Sequence, residues 1–106
     1  MKKKDEYIDE SSIEITSFER DNKHYSFKEP IQFNPCLDDS KQLYLLKYPK
    51  LGIDIAVCTR TELKTEIEKQ IVFLWEEYAK EDDENLTYPA LKLKHSIKSI
   101  LTVEEL

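Results

Sequence analysis

Two histidines, two cysteines and a run of four acids are the residues of this 106-residue chain whose types could do chemistry. His24 and His95 lie far apart, neither has a metal-ligating residue four positions on, and no C-x-x-C or H-E-x-x-H spacing involves them or Cys36 and Cys58. A Cys–His pair, or a hydrolase or nuclease site using His24 or His95 with Asp54, would have to be assembled by the fold from distant positions. The plainer reading makes both histidines surface residues and both cysteines packing residues. Gly52 is the only glycine, which excludes the Gly-rich phosphate loops of Walker and Rossmann type. Asp82, Asp83, Glu84 and Asn85 offer hard oxygen donors, but without the alternating D-x-D-x-D-G loop of a calcium site, and adjacent carboxylates repel and hydrate. The sequence therefore predicts no catalytic residue, no metal and no cofactor.

Composition bounds the rest. A chain of 106 residues holds one domain with one core. It is 40% hydrophobic and 36% charged, the balance of a folded domain with a polar surface. A formal charge of −6 argues against duplex DNA or an anionic membrane as partner, since both need a basic surface, and favours a protein partner with a basic surface. The charge is uneven: residues 41–60 carry four basic residues against one acidic, whereas the segments on either side are net acidic. No apolar run reaches the length of a transmembrane helix or a signal-peptide core, which predicts a cytoplasmic address and two reduced, half-buried thiols rather than a disulfide.

The elements that would position these residues follow from periodicity. Residues 1–10 carry seven charged residues and only Tyr7 and Ile8 to bury besides Met1, so they are expected to fray. Ile13 and Ile15, then Tyr25 and Phe27, alternate with polar residues around Asp21-Asn22, the pattern of a β-hairpin. Pro30 is expected to end its second strand, with residues 33–40 a connecting loop. A second hairpin runs from residues 42–48 through Pro49-Lys50-Leu51-Gly52 to the alternation Ile53, Ile55, Val57, with Gly52 supplying a positive φ or a bulge.

Thr59-Arg60-Thr61-Glu62 has the T-x-x-E spacing of a capping box, which predicts a helix over 60–80. Leu63, Ile67, Ile71, Leu74 and Tyr78 form its buried stripe, widened by Val72, Trp75 and Ala79. Phe73 falls off the stripe, so it is either covered by a second helix or exposed for a partner. Glu81, Asp82, Asp83 and Glu84 suit the approach to a helix N-terminus. With Thr87, Pro89 and the spacing of Leu93, Ile97, Ile100 and Leu101, they predict a helix over 88–101, against the competing reading of Leu91-Lys92-Leu93-Lys94 as a fifth strand.

The stretch Tyr48-Pro49-Lys50-Leu51-Gly52, a strand, Thr59-Arg60-Thr61-Glu62-Leu63 and an amphipathic helix resembles the antitoxin domain of the HicB type, whose pattern is F/Y-P-x-L, a strand, T-x-E-E-A and a helix. The resemblance covers about residues 42–80. It implies a partial RNase-H-like α+β fold that binds a small basic toxin without catalysis of its own. The preceding hairpin and the helix over 88–101 are extra to that pattern, and no operator-binding helix-turn-helix or ribbon is legible after it.

The expectation is a single α+β domain: an antiparallel sheet of about four strands in two hairpins, covered by one long helix, with a second C-terminal helix. Its expected function is a non-catalytic acidic module that engages another protein, antitoxin-like or inhibitory, through Phe73, Glu81, Asp82, Asp83 and Glu84. A small hydrolase and a structural homodimer joined at a sheet edge are the alternatives.

Overall fold

The computed structural model describes residues 9–106, so the expected fraying of the terminus falls, for residues 1–8, outside the described residues. Asp9 is anchored: the Arg60 guanidinium donates to its carbonyl oxygen at 2.7 Å and to Ser12 O at 3.1 Å.

The first hairpin joins β1 (Ile13–Arg20) to β2 (Lys23–Phe33) through Asp21 and Asn22, both at positive φ (55° and 63°), the geometry of a two-residue turn that matches strand twist. Pro30 does not end β2. It lies where the ladder is interrupted: Ile15 pairs with Ile31 and Ser17 with Ser26, so residues 27–30 face only Thr16. A missing N–H costs nothing in such a bulge. The same bulge explains why burial on β1 changes parity, from Ile13 and Ile15 to the half-buried Phe18.

Within the expected loop, β3 (Cys36–Leu37) adds a short strand to the second hairpin, β4 (Tyr44–Tyr48) and β5 (Ile53–Val57). Asp38 closes the connection by accepting from the amides of Gln42 (2.9 Å) and Leu43 (3.0 Å), and these bonds, with one from Ser40, hold its carboxyl below the ordinary range. Pro49–Leu51 is a 3-10 turn that ends at Gly52, whose φ of 67° fits the left-handed region.

The helix α1 (Arg60–Leu74) starts as the spacing predicts: Glu62 N donates to Thr59 Oγ1 at 3.1 Å and Thr59 N donates to Glu62 Oε1 at 3.1 Å. Leu63, Ile67, Ile71 and Leu74 are buried. Beyond Leu74 the helix widens into one π turn, Trp75–Ala79. That inserts an extra residue into the repeat, so Ala79 rather than Tyr78 takes the next buried position, and Tyr78 moves to the flank, partly buried. Trp75 packs against the core but is only half-buried.

After a 3-10 turn at Asp83–Asn85, α2 (Tyr88–Ile100) begins on Thr87, whose hydroxyl accepts from Ala90 N, with Pro89 in the first turn. The helical reading of residues 91–94 holds over the strand. α2 runs without a loop into β6 (Leu101–Glu105), a strand that antiparallel pairing adds to β2.

The protein is thus α+β, with two hairpins, a long helix and a second C-terminal helix. Its strands number six rather than about four, and they divide into two three-stranded antiparallel sheets, β1-β2-β6 and β3-β4-β5. The first ladder runs to Ile13↔Phe33, β2 ends there at the break at Asn34-Pro35, and β6 occupies the other edge of β2 over Lys23–Phe27. Both sheets share one core, in which Tyr25, Phe33 and Leu101 meet Leu46, Ile53, Leu63, Ile67 and Ile71.

Candidate partner-binding surface

Phe73 lies on the outer side of α1, where a helical repeat anchored on Leu63, Ile67, Ile71 and Leu74 must put it, and α2 does not cover it: it is 52% exposed. Its ring meets Tyr78 edge-on, with centroids 6.1 Å apart and planes at 79°. The π turn makes this contact possible by moving Tyr78 off the core stripe. The backbone carbonyl of Tyr78 accepts from Glu81 N at 3.3 Å, so the acid run follows directly on the π turn.

Electrostatics divide the carboxylates here into engaged and free. Glu76 receives Lys23 Nζ at 2.8 Å and Lys80 Nζ at 3.1 Å, and these bonds hold its carboxyl below the ordinary range. The Lys23 pair links the π turn, and Arg20–Glu68 at 3.3 Å links α1, to the first sheet. Asp83 pairs with Lys94 at 2.7 Å, which lowers its pKa. Glu77, Glu81, Asp82 and Glu84 form no ion pair among the described residues. The exposed Phe73 and the half-buried Tyr78 are thus followed along the chain by carboxylates that no cation among the described residues pairs with.

The acid run is not a wholly solvated linker. Lys94 also donates to Glu81 O at 2.6 Å, so α2 holds the run in place. Sequence reading missed this bridge, because the eleven positions from Asp83 to Lys94 match no helical or strand period.

The other candidates stay dispersed. His24 Nδ1 lies 3.5 Å from Glu19 Oε2, and β2 pairs His24 with Glu19 and Glu104; His95 is exposed on α2; Asp54 is exposed on β5 opposite Lys47. No hydrogen bond or ion pair links either histidine to Asp54 among the described residues. Cys36 and Cys58 are free and exposed, not half-buried as expected. Cys36 lies on β3 and Cys58 directly follows β5, and β4 lies between those two strands, which are two ladder spacings, about 9.5 Å, apart. Among the described residues, no three His, Cys, Asp or Glu side chains gather as metal ligands, and no helix is long and apolar enough to cross a membrane.

Fold and surface together define a small α+β domain that displays an aromatic and acidic patch on its long helix. No family model, no curated protein and no solved structure matches this chain.

Proposed function

We propose that the protein is a non-catalytic binding module that engages another protein bearing a basic surface, in an antitoxin-like or inhibitory role. The observation that carries this reading is the exposure of Phe73, a large aromatic ring set edge-on to Tyr78 and followed along the chain by carboxylates that form no ion pair among the described residues. Aromatic anchors supply much of the binding energy at protein interfaces, while charges around them steer the approach of an oppositely charged partner. The net charge of −6 and the likeness of residues 42–80 to the HicB-type domain support a basic partner over nucleic acid or membrane.

The experiment is a comparison of three baits in a lysate of the native host: the wild-type chain, Phe73→Ala, and the triple variant Glu81→Lys, Asp82→Lys, Glu84→Lys. A protein retained by the wild type and lost from both variants, each shown to be folded by circular dichroism, supports the reading. Retention of the same proteins by all three baits refutes it.

A further inference from the structure

A groove of ≈ 540 Å³ lies along the edge of β2 that β6 leaves open. β6 pairs with β2 only as far as Phe27↔Leu101, because the chain preceding Leu101 is the last turn of α2. Beyond that point, residues 28–32 form one wall, Tyr48 and Lys50 the second, and Ser99 and Ile100 the third. The volume falls within the roughly 300–1,000 Å³ of small-molecule sites.

The lining combines an apolar base with charge left unspent. Ile31 and Ile100 are half-buried, and the Tyr48 ring is held by Phe33, with centroids 5.1 Å apart. Lys28 and Lys50 form no ion pair among the described residues, although the chain has 22 acids to 16 bases. Among the described residues, the one polar contact of Lys28 Nζ is the Lys98 carbonyl at 3.5 Å. Glu29, the one acid in the lining, also forms no ion pair among the described residues, so the lining carries two cations and one anion. An added β-strand fits poorly here, since Pro30 lacks an N–H and charged residues precede it on the edge.

We propose that this groove binds a small amphipathic monocarboxylate, with an apolar or aromatic body on Ile31, Tyr48 and Ile100 and its carboxylate on Lys28 and Lys50. The single surplus positive charge matches one carboxylate, and Glu29 repels a second. This site is separate from the Phe73 surface and does not depend on the function proposed for it.

The test is a titration of the full chain by amide NMR with phenylacetate, and with phenylacetamide as the neutral isostere. Saturable shifts are expected at the amides of Ile31, Gln32, Lys50 and Ile100, with affinity about tenfold weaker for the amide and for the Lys50→Gln variant, as expected for loss of a charge-assisted bond. Lys28→Gln should weaken phenylacetate, Glu29→Gln should tighten it, and Phe73→Ala should leave it unchanged. Phenylacetate shifts that miss the groove, that phenylacetamide equals, or that survive both lysine substitutions at full strength overturn the proposal.

Discussion

The Lys94 ammonium lies 2.7 Å from Asp83 Oδ1 and, in the same reach, 2.6 Å from the carbonyl oxygen of Glu81. A side chain of α2 that is only 13% exposed thus ties the acid run to the helix that follows it. Asp83 has a structural duty that Glu81, Asp82 and Glu84 do not share through their carboxylates. Substituting the latter three with Lys should leave the thermal midpoint close to wild type. Adding Asp83→Lys should lower it clearly, because two ammonium groups then meet at a half-buried position. Equal midpoints for the triple and quadruple variants would show that the bridge contributes nothing.

Thr59 and Glu62 satisfy each other's backbone donors at the start of α1. Thr59→Ala should cost about 1 kcal/mol in urea denaturation. An unchanged midpoint would count against the cap as a source of stability.

Core and surface on α1 should separate cleanly. Ile67→Ala, at a position with no exposure, should cost about 2–5 kcal/mol, whereas Phe73→Ala should stay within about 0.5 kcal/mol of wild type. Trp75 should emit between the maxima of a buried and a water-exposed indole, because it is half-buried against the core. A Phe73→Ala cost as large as that of Ile67→Ala would place Phe73 in the core and remove it from the proposed interface.

The Lys23–Glu76 pair gives stability a pH signature. Lys23 and Lys80 hold the Glu76 pKa below its ordinary 4.5, so the pair stabilises the fold above 4.5 and this contribution is lost as pH falls through the lowered value. Glu76 raises the pKa of Lys23 above 10.5, so the contribution is also lost as pH rises through that raised value. The gap in Tm between wild type and Glu76→Gln should therefore be widest between these limits and narrow beyond each. A gap that ignores pH would assign the interaction to packing rather than charge.

If unpaired carboxylates steer a basic partner to Phe73, association should slow as salt rises while dissociation changes less. Duplex DNA should not bind at physiological salt. Stopped-flow or biosensor kinetics with the captured partner checks the first statement. Tight duplex binding by the wild type would overturn the reading of the charge.

Local order was legible in the sequence because its signals are local. The cap at Thr59, the turn at Asp21-Asn22, the positive φ of Gly52 and the stripe from Leu63 to Leu74 each rest on residues within one or two turns of chain. Phe73 could be placed outward by the same arithmetic. Tertiary structure alone decided the remainder, since those features depend on partners remote in sequence. β6 exists as a strand because Leu101 and Val103 meet Phe27 and Tyr25, more than seventy positions earlier. The π turn shifts burial from Tyr78 to Ala79, which no fixed period foresees, and the resulting Phe73–Tyr78 contact shapes the candidate surface. Two sheets form in place of one because β1 and β6 take the two edges of β2 while β4 pairs with β3 and β5, a competition between non-local pairings that a reading of period and propensity does not weigh.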